Sequence, residues 1–142
     1  MHIHRLLVVE DDPDHVLLLR RALRPVSEHI ELEVAPDGPA ALASLRAGSP
    51  YPHLILLDIN MPRLSGLEVL SAIKGDTKLA QIPTVMLTTS AREEDRLASL
   101  KRGADEFFTK PVSFREFSQT LLGLLERYFS DPSSSHAAKN EA

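Results

Sequence analysis

The sequence contains no cysteine, which excludes disulfide bonds and metal sites built on thiolates. It also contains no apolar run near the roughly 20 residues that a membrane-spanning helix needs. Positive charge is scarce as well, because 16 lysines and arginines face 20 aspartates and glutamates, for a net charge of -4. A protein that binds nucleic acid through its phosphates usually carries the opposite balance. We therefore predict no membrane segment and no nucleic-acid partner.

The composition that is present fits one globular domain. The 142 residues are 43% hydrophobic and 25% charged, close to the average of globular proteins, and this length leaves no room for a second core. We assign residues 1–129 to one domain and expect the polar, aperiodic residues 130–142 to be a disordered tail. The N-terminal residues lack the apolar core of a signal peptide, so we expect a cytoplasmic protein.

Short apolar runs alternate along the chain with stretches of helical periodicity. The predicted strands are residues 5–9, 31–35, 54–57, 84–88 and 106–109. Such alternation is typical of βαβ units, in which helices cover both faces of a parallel sheet. The sequence therefore predicts an α/β fold with five βα units.

Several predicted helices have recognisable ends. Asp12 and Asp37 each precede a proline near the first helical position and can cap the helix that follows. Ser90 and Ser113 are each followed three residues later by glutamate, which is the pattern of a capping box. Gly103 is a typical left-handed residue after a helix C-terminus.

Polar side chains collect at the ends of the predicted strands. Asp58 follows the apolar strand 54–57, Glu10 and Asp11 follow the first strand, Thr88 ends the fourth and Lys110 follows the fifth. The carboxyl ends of parallel strands share one edge of the sheet, where α/β proteins bind ligands. An aspartate that only caps a turn is the alternative interpretation of Asp58.

Oxygen ligands without histidine or cysteine suit Mg²⁺, which takes one or two carboxylates and keeps several waters. A carboxylate beside such a cation, a hydroxyl and an ammonium group can attack phosphorus while the positive charges stabilise the phosphoryl oxygens. The residues at this edge therefore predict a phosphoryl acceptor site.

The combined motifs resemble the receiver domain of two-component response regulators. They are Glu10-Asp11, Asp58-Ile59-Asn60-Met61-Pro62, Gly66, Thr88 and Lys110-Pro111. The resemblance covers roughly residues 5–129. It implies a single flavodoxin-like (βα)5 domain with a doubly wound parallel sheet in strand order 2-1-3-4-5. It also implies that Asp58 is the phosphoacceptor for a sensor histidine kinase.

The resemblance assigns roles at the site. Asp11 and Asp58 would bind Mg²⁺ through their carboxylates, Asn60 through its backbone carbonyl, and Glu10 through a metal-bound water. Lys110 would pair with the phosphoryl group, and its bond to Pro111 is expected to be cis, an isomer that X-Pro bonds tolerate.

The resemblance also implies a switch built on Thr88 and Phe107. On phosphorylation the hydroxyl would move to the phosphoryl group and the aromatic ring would turn inward. Core filling is the alternative role of Phe107, and since Phe107 and Phe108 are consecutive strand residues we expect one to face the core and one to face outward. Asn60 and Ser90 are expected to set the lifetime of the phosphoryl group.

Two features bear on the subtype. The loop 74–81 is similar to that of small response regulators associated with bacterial and cyanobacterial phytochromes, which makes a bacteriophytochrome a candidate kinase. Only a short tail follows the receiver, so we expect a stand-alone regulator that signals through partner or dimer contacts. We do not expect an enzyme, because self-phosphorylation and self-dephosphorylation consume no separate substrate.

The last predicted helix carries two apolar stripes. One consists of Phe114, Phe117, Leu121, Leu124 and Tyr128 and suffices to pack on the sheet. The other consists of Leu122, Leu125 and Phe129, and we expect it to contact a second copy or the kinase. A single wide core-facing surface is the alternative, and in that case the helix does not support a homodimer.

Two other functions are compatible with a similar fold. A Mg²⁺-dependent phosphohydrolase with an aspartyl nucleophile usually has a second aspartate at the position of Asn60. A flavin-binding module would need a phosphate-binding loop after the first strand, where the acidic Glu10 and Asp11 would repel a phosphate.

Overall fold

The computed structural model describes residues 3–129, so the predicted tail lies outside the described residues. Five parallel strands form one sheet in the order β2-β1-β3-β4-β5. They are β1 (His4–Val9), β2 (Ile30–Ala35), β3 (Leu54–Leu57), β4 (Thr84–Thr88) and β5 (Glu106–Thr109). Each predicted strand is present, with its start shifted by at most one residue. The predicted α/β fold and its strand order are confirmed.

Four α-helices connect the strands, and a fifth follows the last strand. They are α1 (Pro13–Ala22), α2 (Gly38–Arg46), α3 (Gly66–Lys74), α4 (Glu93–Lys101) and α5 (Phe114–Tyr128), with short 3-10 helices at Arg24–His29 and Leu79–Gln81. No helix within residues 3–129 has the length and hydrophobicity to cross a membrane.

The core has two layers, one on each face of the sheet. Alternate residues of β1 divide between them, because successive strand side chains point to opposite faces. Leu7 and Val9 pack with α2 and α3, whereas Leu6 and Val8 pack with α1 and α5. All four residues of β3 are buried, as predicted for a strand covered on both faces.

This two-sided covering corrects the expectation for the aromatic pair in β5. Phe107 packs against the core layer of α2 and α3, and Phe108 packs against the layer of α1 and α5. Both rings are half-buried. Neither faces outward, because the sheet has no open face.

Three of the predicted helix caps are present. Asp12 accepts a hydrogen bond from the backbone N–H of Asp14, Asp37 from that of Ala40, and Ser113 from that of Glu116. Gly103 has a φ of 103° just after α4, as expected for a left-handed terminator.

The capping box predicted at Ser90 is wrong. Helix α4 begins at Glu93, and its N-cap residue Arg92 makes no side-chain capping bond. The Ser90 hydroxyl instead donates to a carboxylate oxygen of Asp95 at 2.5 Å. A full capping box occurs instead at α3, between Ser65 and Glu68.

Candidate functional site

Three carboxylates meet at the carboxyl edge of the sheet. Glu10 and Asp11 follow β1, Asp58 follows β3, and these strands are paired in register from Leu6 with Leu54 to Val9 with Leu57. One carboxylate oxygen of each acid lies within 4.8 Å of the others. Glu10 and Asp58 are only 5% and 6% exposed, whereas Asp11 is exposed. The predicted convergence of these acids is therefore present.

The chain around Asp58 is held by backbone contacts. Its Oδ1 accepts a hydrogen bond from the backbone N–H of Ile59 at 2.8 Å. The N–H of Gly66, the first residue of α3, donates to the Ile59 carbonyl at 2.8 Å. A β-carbon on Gly66 would lie 1.9 Å from the Asp58 carbonyl oxygen. The loop between β3 and α3, which contains the exposed Asn60, is thus closed by a contact that only glycine permits.

Lys110 lies on the same edge, as predicted, but its partner is Glu10. The ammonium forms an ion pair with Glu10 Oε1. Within residues 3–129 it makes no ion pair shorter than 4.0 Å with Asp11 or Asp58.

The Lys110–Pro111 bond is trans, which corrects the expected cis isomer. The one cis peptide bond within residues 3–129 joins Ser49 and Pro50. The two isomers of an X-Pro bond differ little in energy.

His15 is a member of this cluster that the sequence analysis missed. Its Nδ1 lies 3.0 Å from Lys110 Nζ and 3.5 Å from Glu10 Oε1, and its Nε2 lies 3.6 Å from Asp12 Oδ2. The available signal was its place in the first turn of α1, three residues after the Asp12 cap, which puts both on one side of the helix start.

Thr88 ends β4, the strand beside β3, and is fully buried. Its hydroxyl oxygen accepts a hydrogen bond from the backbone N–H of Ser90 at 3.3 Å. The Ser90 carbonyl accepts another from the Thr109 hydroxyl at 2.8 Å. Together with the bond from Ser90 to Asp95, these contacts hold the β4–α4 loop in one arrangement.

The structure separates the predicted interface residues. Leu125 is 4% exposed and belongs to the core layer of α1 and α5. Phe129 packs partly against the same layer, and its ring stacks on that of His4 at 4.6 Å between centroids. Leu122 is half-buried. These placements favour the wide core-facing surface for Leu125 and Phe129, and an interface through α5 stays a prediction that depends mainly on Leu122.

A cavity of about 460 Å³ opens beside the acid cluster. Glu10, Asp58 and Lys110 lie along its polar part. Most of the remaining wall is apolar and comes from β1, β3, α1 and the start of α5, and it includes the exposed side chains of Leu18 and Val112. Asp58 therefore lines a cavity that is open to solvent.

Comparison with known proteins finds a family that matches most of the chain. Residues 6–122 match the response regulator receiver domain. The chain is 36% identical to response regulator Rcp1 of Synechocystis sp. over 124 residues, which are 84% of each protein. It is also 36% identical to the probable methanogenesis regulatory protein FilR2 of Methanothrix harundinacea, over 82% of this chain and 77% of that one.

Two solved structures are similar over nearly the whole fold. The phosphorylated cyanobacterial phytochrome response regulator RcpA superposes with a TM-score of 0.85 at 34% identity, covering 90% of this chain and 95% of that one. The Mn²⁺-bound form of Rcp1 superposes with a TM-score of 0.80 at 35% identity, covering 87% and 92%.

Proposed function

Because the chain belongs to the response regulator receiver domain family, we propose that Asp58 accepts a phosphoryl group from a sensor histidine kinase in a Mg²⁺-dependent reaction. The observation that carries this proposal is the meeting of Glu10, Asp11 and Asp58 at one edge of the sheet, with the ammonium of Lys110 beside them. Three carboxylates with only one ammonium group nearby leave an excess of negative charge, which a bound cation would neutralise.

The donor set fits a magnesium ion. Asp11 and Asp58 would bind it directly, together with the backbone carbonyl of Asn60, and water would fill the other positions. Glu10 would act through one of these waters, because Lys110 already occupies its Oε1 and the Asp12 backbone N–H donates to its Oε2 at 3.2 Å. The Mn²⁺-bound form of the related Rcp1 supports a divalent cation. The bound ion would neutralise charge on the phosphoryl oxygens.

The residues around Asp58 suit an in-line transfer. Since the Ile59 N–H holds Oδ1, we assign Oδ2 as the atom that bonds to phosphorus while the phosphorus–nitrogen bond of a phosphohistidine breaks. The Lys110 ammonium would then pair with a phosphoryl oxygen. Thr88 would donate its hydroxyl proton to another, because the oxygen already accepts a bond from Ser90 and the proton remains available.

We assign Thr88 and Phe107 to the switch. Movement of the Thr88 hydroxyl toward Asp58 would break its contact with the Ser90 N–H and release the β4–α4 loop. Phe107 is half-buried against the core layer of α2 and α3, so an inward rotation would bury more of its ring. Asn60 and Ser90 would set the lifetime of the phosphoryl group, as neighbours of the acceptor and of the switch threonine.

The partner is a histidine kinase that docks over the cavity. Leu18 and Val112 line this cavity and are both exposed, so they offer apolar contacts at its opening. Asp58 lines the same cavity, and exposed apolar side chains beside a reactive group suit contact with a protein partner. Because RcpA is a phytochrome response regulator, we propose a bacteriophytochrome as the kinase. We include three further points in the same proposal: a cytoplasmic location, signalling without turnover of a separate substrate, and a homodimer through α5.

The direct test is phosphorylation by acetyl phosphate in the presence of Mg²⁺. Intact mass should show one added phosphoryl group on the wild type and none on Asp58→Asn. Asp14→Asn, which removes an acid outside the cluster, should be labelled like the wild type. Equal labelling of wild type and Asp58→Asn would overturn the proposal. Catalytic turnover of small phosphate esters would instead favour the aspartyl phosphohydrolase.

A further inference from the structure

The ammonium of Lys110 has two side-chain partners on the α1 side of the acid cluster. One is Glu10 Oε1 and the other is His15 Nδ1, at 3.0 Å. The Lys110 side chain is 11% exposed, so these contacts replace much of its hydration. An ammonium group has donors only, and His15 Nδ1 must therefore accept.

This contact defines the state of the histidine ring. With Nδ1 accepting, the neutral ring carries its proton on Nε2, which faces Asp12 Oδ2 at 3.6 Å. Asp12 in turn caps α1 by accepting from the Asp14 N–H at 2.9 Å. His15 is thus attached to a capped helix start, and its acceptor nitrogen has a fixed direction toward Lys110.

Lys110 in this arrangement is not available to Asp58. No ion pair within 4.0 Å joins their charged groups in the described structure, whereas the proposed phosphoryl transfer requires this ammonium at the phosphoryl oxygens. Lys110 must therefore exchange one set of partners for another. Every contact that stabilises the first set opposes the second.

We propose that His15 is a positioning residue that holds Lys110 against Glu10 and thereby competes with a phosphoryl group on Asp58 for the lysine ammonium. The inference rests on the proposed function, since it concerns the same site. Removal of the acceptor nitrogen weakens the resting arrangement and leaves Lys110 freer to engage the phosphoryl group. A hydrogen bond to a charged group such as this ammonium typically contributes about 1.5–3 kcal/mol net, which is at least about tenfold in an equilibrium constant.

Two substitutions separate the acceptor from the bulk of the ring. His15→Leu fills similar space without an acceptor, and His15→Asn places a carbonyl oxygen near the position of Nδ1. His15 is about one-third exposed, so both variants should fold. Should His15→Leu fail to fold, His15→Ala removes the acceptor in its place.

The first measurement uses the full chain without metal or phosphate. The side-chain ammonium signal of Lys110, assigned with Lys110→Arg, is recorded in proton–nitrogen NMR spectra. We expect it to shift in His15→Leu and to return toward its wild-type position in His15→Asn. If the signal responded only to loss of the aromatic ring, it would shift equally in both variants. That result, or an unchanged signal in both variants, would show that His15 does not accept a hydrogen bond from Lys110.

The second measurement is titration with beryllofluoride, a phosphoryl mimic, at saturating Mg²⁺. We expect His15→Leu to bind at least about ten times more tightly than the wild type, and His15→Asn to remove most of this gain. If the wild type binds beryllofluoride and His15→Leu binds it no more tightly, the proposed role of His15 is wrong but the proposed function stands. Failure of the wild type to bind beryllofluoride would overturn the proposed function, while the metal-free spectra would still decide the contact between His15 and Lys110.

Discussion

Gly66 lies so close to Asp58 that a β-carbon on its backbone would stand 1.9 Å from the Asp58 carbonyl oxygen. The first residue of α3 therefore touches the backbone of the residue assigned as phosphoacceptor. Any side chain at position 66 must push either the helix or the Asp58 loop away. The position of the reactive carboxylate and the packing of α3 are coupled through this contact.

We expect Gly66→Ala to lower the free energy of unfolding by about 1–3 kcal/mol, because the added methyl group has no space. Phosphorylation by acetyl phosphate should slow as well, since the Asp58 loop must move. Gly123→Ala is the matched control: no atom lies within 4 Å of its added β-carbon, and in the interior of α5 alanine should stabilise by up to about 1 kcal/mol. Urea unfolding measures both changes. If the two substitutions changed stability equally, the close contact between Gly66 and the Asp58 backbone would not be what restricts position 66.

Asp11→Asn should change stability and metal binding in opposite directions. Removing one of three clustered acids relieves repulsion, so the metal-free variant should be more stable than the wild type. Its affinity for Mg²⁺ should fall by at least about tenfold, since even second-shell changes cost that much at metal sites. Thermal unfolding with and without Mg²⁺ reports both effects. If Mg²⁺ stabilises Asp11→Asn as much as it stabilises the wild type, Asp11 is not a ligand of the metal.

Leu125 and Leu122 should respond differently to truncation, although both belong to the apolar stripe first assigned to an interface. Leu125 is buried in the core, so Leu125→Ala should cost about 2–5 kcal/mol of stability. Leu122→Ala should cost much less, because Leu122 is only half-buried. The interface is then tested with Leu122→Glu, which should lower the sedimenting mass without unfolding the chain. An unchanged mass would exclude Leu122 from a dimer contact.

His53 should make the fold sensitive to mild acid. Partial desolvation, and then the charge of Arg5, lower the pKa of the exposed His53. Its Nδ1 accepts a hydrogen bond from the backbone N–H of Arg5 at 2.8 Å. Since the pKa is lower in the folded state, the unfolded chain takes up the proton first as the pH falls. The stability from neutral His53 is therefore present above about pH 6.5 and is lost below it.

The matched variant for this prediction is His53→Asn, which keeps an acceptor for Arg5 but does not titrate near neutral pH. Urea midpoints measured between pH 5 and 8, a range that spans the ordinary histidine pKa of about 6.5, should fall more steeply with acidification in the wild type than in the variant. Parallel curves would assign the acid sensitivity to other groups.

The helix caps show how far local pattern extends. Asp12 and Asp37 cap their helices as predicted because the cap, the proline and the helix start are adjacent in the chain. Ser90 has the spacing of a capping box, yet its hydroxyl bonds to Asp95 and its carbonyl to Thr109 of the next strand. A contact from β5 thus competes with the local capping pattern. The local sequence around Ser90 cannot predict this contact, because Thr109 is distant in the chain.

The site shows the same division. The convergence of Glu10, Asp11 and Asp58 could be predicted, because parallel strands bring their carboxyl ends to one edge whatever their order. The choice of Glu10 over Asp58 as the partner of Lys110, and the arrival of His15, could not. They depend on how closely the start of α1 approaches the segment after β5, a distance that no spacing in the sequence encodes.

The sequence by itself determined the alternation of strands and helices, the family resemblance and the edge at which the charged residues collect, since each follows from periodicity or from the order of residues along the chain. Tertiary structure alone decided the burial of Leu125, the two-sided packing of Phe107 and Phe108, and the resting partners of Lys110. The physical reason is that burial and ion pairing depend on surfaces contributed by distant segments. Those surfaces exist only after the helices have closed over both faces of the sheet.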